Sequence, residues 1–134
     1  MNVQPVITSF YAALFSLLVI PMILAVVYRR RSQRISLGDG GDALLQKRVR
    51  AHANFVETVP LALILMLLVE LNGAGPALLH VLGSLLLVGR VVHYLQLTDV
   101  VRSFRFRVAG MLATISVYVV SSLWLLLSFS TSSL

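Results

Sequence analysis

Hydrophobic positions fall along this chain in four long runs, and the polar positions gather between them. The first run, Val6 to Tyr28, contains no charged side chain, and neither do the residues before it. At about 23 residues it is long enough to cross a ~30 Å hydrocarbon core as a helix. It reads as a span and not as a signal peptide, because no basic region precedes it and no small-residue cleavage site precedes Arg29. Pro21 lies inside the run and predicts a kink. A polar stretch follows from Arg29 to Arg48, with the cluster Arg29-Arg30-Arg31-Ser32-Gln33-Arg34 and the turn signal Gly38-Asp39-Gly40-Gly41-Asp42.

The second apolar run, Val59 to Val69, is too short to cross alone. Its helix must begin about three turns earlier, near Lys47, and so carry Arg50, His52, Asn54 and Glu57. It ends in Asn72-Gly73-Ala74-Gly75-Pro76, a tight helix-helix connection. The third run closes with Arg90 and His93 in its last turns, a short polar connection follows, and nothing after Arg107 is charged. The expected architecture is an all-α, integral membrane four-helix bundle. Its one domain covers residues 1–134, with spans at about 6–28, 49–71, 77–97 and 106–129.

Composition agrees with lipid as the solvent. The chain is 58% hydrophobic and 12% charged, where a soluble domain carries about 25% charge. Too few polar side chains exist to cover a water-facing surface. Cysteine is absent, which removes disulfides, thiolate metal sites and a protein thiol nucleophile. Any sulfur chemistry must come from a bound small molecule. The net charge of +6 would suggest nucleic acid in a soluble chain, but here its location matters more. All eleven Lys and Arg residues fall in the first or third connection or in the adjoining helix turns. The positive-inside rule then puts those connections in the cytoplasm and both termini outside.

Charged groups on membrane helices are costly and usually face a protein interior or cavity. At 100° per residue, Arg50, Asn54 and Glu57 fall within about 60° of one another, and Lys47 lies close to that stripe. His52 points about 200° away from Arg50. Arg90, His93 and Leu97 share a face of the third helix, and Arg107 begins the fourth. The expected result is one polar pocket near the cytoplasmic boundary, holding several cations, one carboxylate and an amide. Such a pocket suits a ligand with several carboxylates and one ammonium, since guanidinium grips carboxylate bidentately. Two plainer readings stand beside it. Glu57 could pair with the cations and only lock the bundle, and Arg29 to Arg34 could simply meet anionic lipid headgroups. His52, His80 and His93 lie on different helices or faces, so no metal site is expected.

At these residues the sequence resembles the MAPEG family, the membrane-associated proteins in eicosanoid and glutathione metabolism. The string Arg50-Ala51-His52-Ala53-Asn54-Phe55-Val56-Glu57-Thr58-Val59-Pro60 is similar to the family signature at the start of a second membrane helix. Gly38-Asp39-Gly40-Gly41 resembles the short bacterial members. Gly89-Arg90-Val91-Val92-His93 and Arg105-Phe106-Arg107-Val108-Ala109-Gly110-Met111-Leu112 resemble the third and fourth helices.

The resemblance implies a homotrimer in the bacterial inner membrane. Glutathione, as co-substrate, would bind between neighbouring subunits near the cytoplasmic face. It also implies conjugation or reduction of lipophilic electrophiles, as in detoxification. By position, Arg50, Asn54, Glu57, Arg90 and His93 match residues that hold glutathione, and Arg107 matches the arginine beside its sulfur, with Arg105 as the neighbouring alternative. Either Arg29 or Arg30 matches a first-helix arginine that reaches the ligand. Two positions depart from some synthases of the family: Thr58 and Leu97 stand where those proteins carry tyrosines, and Tyr94 is a candidate replacement. The competing readings are a non-catalytic lipid-binding or scaffold protein on the same fold, and a small transporter. Polarity that stops about halfway across the second helix counts against a through-path.

Overall fold

The computed structural model describes residues 4–101 and 103–132. Four helices follow in order: α1 (Val6–Gln33), α2 (Ala43–Leu71), α3 (Pro76–Leu97) and α4 (Phe104–Ser132). All four are long and apolar enough to cross a membrane. The chain is a multi-pass membrane bundle in which short connections make successive helices antiparallel. Each helix packs on its sequence neighbours, α3 also packs on α1, and α2 on α4; α1 and α4 do not pack together among the described residues.

The helices are longer than the apolar runs that predict them, because capping and not hydropathy sets their ends. α1 continues through Arg29, Arg30 and Arg31, and Arg34 then ends it in a left-handed conformation (φ 55°) with its N–H turned back to the helix carbonyls. α2 begins at Ala43, because the Asp42 carboxylate accepts the Leu45 N–H at 2.6 Å. The expected loop at Arg29–Arg48 therefore shrinks to residues 34–42. α1 runs through Pro21 and α2 through Pro60 as continuous helices.

The bundle has two chemically distinct ends. At one, α1 starts on Pro5 with no cap of its own. Its first N–H groups are orphans by geometry, and Glu70 from the end of α2 supplies the acceptors: the Ile7 N–H donates to Oε1 at 2.8 Å and the Thr8 N–H to Oε2 at 2.7 Å. The carboxylate also complements the positive end of the α1 dipole. Beside it the Tyr11 hydroxyl donates to the His80 carbonyl at 3.1 Å and lies 2.8 Å from the Ser84 hydroxyl, tying α1 to α3. Gly73 (φ 85°) makes the turn between α2 and α3 in a conformation that side-chain-bearing residues rarely adopt.

The basic end is fastened differently. Arg29 donates twice to Asp42, at 2.7 and 3.2 Å. Arg48 reaches the Ala25 carbonyl on α1 at 3.0 Å. Lys47 pairs with Asp99 in the α3–α4 connection. Between the two ends the core is apolar, centred on Phe15, Phe55, Ala62, Met66, Leu82, Leu86 and Val117.

α3 and α4 cross closely at two glycines. A Cβ on Gly110 would stand 2.5 Å from the Gly89 carbonyl oxygen and 2.8 Å from the His93 Cβ. Gly110 thus serves the α3–α4 contact within one subunit.

Candidate functional site

Arg90 is the organising residue of the basic half. Only 1% of its surface is exposed. A guanidinium taken out of water must find acceptors or it costs several kcal/mol, and Arg90 finds them on two helices. It donates to Asn54 Oδ1 at 2.8 Å, to Thr58 Oγ1 at 3.1 Å and to the Gly110 carbonyl at 2.8 Å. Its Nε has no protein partner. The Thr58 hydroxyl in turn donates to the Asn54 carbonyl, and the Tyr118 hydroxyl donates to the Thr58 carbonyl at 2.7 Å. One arginine on α3 thereby locks α2 against α4.

This arrangement corrects the expectation of one pocket collecting every polar residue. Arg90 and Asn54 are turned into the subunit and bonded to each other. Arg50, Glu57, Arg105 and Arg107 are exposed on its outside. His93 is buried between them, at 3% exposure. The reason is helix phase: Arg50, Asn54 and Glu57 span a face wider than the part that α3 and α4 cover, so only its middle residue is drawn inside.

Two of the exposed groups, Arg50 and Arg107, line separate cavities, and Glu57 lines neither. Arg50 faces a cavity of about 230 Å³ with Arg30, Asp39 and Gln46. Here the structure separates Arg29 from Arg30. Arg29 is held by Asp42, whereas Arg30 donates to the Gly38 carbonyl at 2.7 Å and stays beside Arg50. Arg107 lines the second cavity, about 350 Å³, with His93, Phe104 and Met111. Arg105 lines neither. Within a single subunit the two cavities have no residue in common.

Arg50, Glu57 and Arg107 have no hydrogen-bond or ion-pair partner among the described residues. Charged groups at the end of membrane helices seldom stay without partners. Their side chains face outward from the subunit. Asp42, just outside the span, contrasts with them. Hydrogen bonds from Arg29 and the Leu45 N–H hold its carboxyl below the ordinary carboxylate range.

Sequence reasoning missed Thr58 and Tyr118 as parts of this network, and Glu70, Tyr11 and Ser84 at the far end. Tyr118 could have been found. Positions 107, 110, 114 and 118 follow one face of α4, and a hydroxyl on an apolar membrane helix seeks an acceptor. Glu70 gave no such signal, since its partners are backbone N–H groups on α1.

The MAPEG family model matches residues 8–127. The inner membrane protein YecN from two strains of Escherichia coli is 40% identical over 121 residues, covering 88% of this chain and 91% of YecN. No solved structure matches the chain. The four membrane helices, the Arg50–Pro60 string at the head of α2 and the family match over nearly the whole chain lead to one conclusion: this chain belongs to the MAPEG family.

Proposed function

We propose that this protein is a membrane-bound, glutathione-dependent transferase or peroxidase acting on lipophilic electrophiles. The observation that carries the reading is the set of exposed charges without partners among the described residues at the basic end, Arg50, Glu57 and Arg107, with Arg30 beside Arg50. Two guanidinium groups suit the two carboxylates of glutathione, and Glu57 suits its ammonium. The two cavities of one subunit lie apart, so the site forms between subunits of a homotrimer, the Arg30–Arg50 cavity of one meeting the His93–Arg107 cavity of the next. Arg90 and Asn54 then act from behind, by fixing the α2 and α4 faces that carry the contacts.

The membrane is the bacterial inner membrane, as the likeness to the inner membrane protein YecN supports, with the basic end in the cytoplasm and the termini outside. A water-soluble thiol and a lipid-soluble electrophile meet at that boundary, where proximity supplies much of the rate. A free thiol has a pKa of ~8.5 and is mostly protonated at neutral pH. Arg107 beside the sulfur stabilises the thiolate, and lowering its pKa by about two units takes ~2.7 kcal/mol. The thiolate then attacks the electrophilic carbon, the carbon–sulfur bond forms, and the leaving group departs with its electron pair.

A second reading, a non-catalytic lipid-binding or scaffold protein, has one observation in its favour. Thr58 is turned inward to Asn54 and Arg90 and offers nothing to a ligand in place of the tyrosine of some synthases. One experiment separates the two. Glutathione and its sulfonate analogue should each raise the melting temperature in detergent. Arg107→Ala should abolish conjugation of a chlorinated aromatic while the glutathione shift persists. No turnover and no shift in the unaltered protein would overturn the enzyme reading.

A further inference from the structure

Arg31 and Arg34 take no part in the site proposed above. Arg29 is held by Asp42 and Arg48 by the Ala25 carbonyl. Arg31 and Arg34 are exposed, and neither side chain has a hydrogen-bond or ion-pair partner among the described residues. They continue a stripe along α1. Leu17, Ile20, Leu24 and Val27 follow one another at helical spacing, and Arg31 and Arg34 extend the same alternation. The four apolar side chains are 65, 50, 42 and 49% exposed. From Leu17 to Val27 the helix rises ~15 Å, at 1.5 Å per residue. That is half of a ~30 Å hydrocarbon core, or one leaflet. At the end of the stripe lies a cavity of about 400 Å³ lined by Val27, Arg30, Arg31, Arg34, Ile35 and Ser36, with no carboxylate in its wall.

We propose that this face of α1 is a binding site for an anionic phospholipid. An acyl chain lies along Leu17, Ile20, Leu24 and Val27, and the phosphodiester sits between Arg31 and Arg34. Two further observations favour this occupant. Arg34 occupies the left-handed position that ends α1, where glycine is the residue of least strain. The guanidinium is held there against the preference of the backbone. A second copy of the chain is a poor match for the cations. Only five acidic residues exist. Asp42, Asp99 and Glu70 are paired or capping, Asp39 accepts from the Gly41 N–H, and Glu57 belongs to the glutathione site proposed above.

The test uses native mass spectrometry of the full chain in detergent, titrated with phosphatidylglycerol and with phosphatidylcholine. The unaltered protein should prefer phosphatidylglycerol by about tenfold or more. The double variant Arg31→Gln/Arg34→Gly should lose about fivefold per arginine. Its melting temperature should not fall, because glycine suits the cap, and its glutathione response should persist. Independence from the glutathione reading is thereby built in. Three results would overturn the proposal: equal binding of the two lipids, an undiminished preference in the double variant, or glycerol phosphate binding as tightly as the whole lipid. So would efficient disulfide dimerisation of Leu24→Cys in this cysteine-free chain, since a second copy would then cover the stripe.

Discussion

Glu70 and Glu57 lie on the same helix and meet opposite surroundings. Glu70 is 6% exposed, and both its oxygens accept backbone N–H groups from the start of α1. Glu57 is exposed and meets no described cation. Arg90 and Arg107 repeat the contrast across α3 and α4: one guanidinium makes three hydrogen bonds inside the subunit, the other lines an open cavity. A charge whose partners all lie within the subunit holds the fold. A charge without partners there is free to meet a ligand or a neighbouring subunit. The two kinds cannot be told apart by residue type or by position in a motif.

The sharpest way to break this comparison is at Glu70. Glu70→Ala strands the buried Thr8 N–H and the half-buried Ile7 N–H, whose bonds to a charged acceptor are worth about 1.5–3 kcal/mol each. We expect a loss of about 3 kcal/mol in detergent unfolding, with the glutathione response of the surviving folded protein unchanged. Gly110→Ala comes next. The new methyl meets the Gly89 carbonyl oxygen, which is backbone and yields little. Such overpacking costs about 1–3 kcal/mol, and unfolding midpoints should report it.

At the unpartnered positions the order reverses. Arg50→Ala and Glu57→Gln should change stability by less than about 0.5 kcal/mol, yet sharply weaken the glutathione-induced shift in melting temperature. A large fall in stability at either position would assign that residue to the structural class.

The smallest effect concerns Asp42. Its folded carboxyl titrates below the ordinary range, chiefly through Arg29. A depressed folded pKa stabilises at neutral pH and above the unfolded value of ~3.9, and the contribution disappears as pH falls through the folded value. Asp42→Asn keeps a capping side chain but loses the pairing with Arg29. Melting profiles from neutral pH down to about pH 3 should therefore converge for variant and parent at the acid end. Profiles that stay parallel throughout would remove the Arg29 pairing from the account.

Much of the molecule was legible before any coordinates. Apolar runs, two of membrane length and two completed by polar helix turns, and the one-sided placement of Lys and Arg determined four spans and a single basic end, because the cost of burying charge in hydrocarbon leaves few other arrangements. The string from Arg50 to Pro60 pointed to the family. What only the tertiary structure decided was the direction each polar side chain takes. Arg90 found its acceptors on α2 and α4, Glu70 found backbone groups on α1, and Arg29 parted from Arg30 through Asp42. Periodicity assigns a residue to a face of its own helix. Which helix covers that face, and whether an acceptor waits there, depends on packing between segments far apart in the chain.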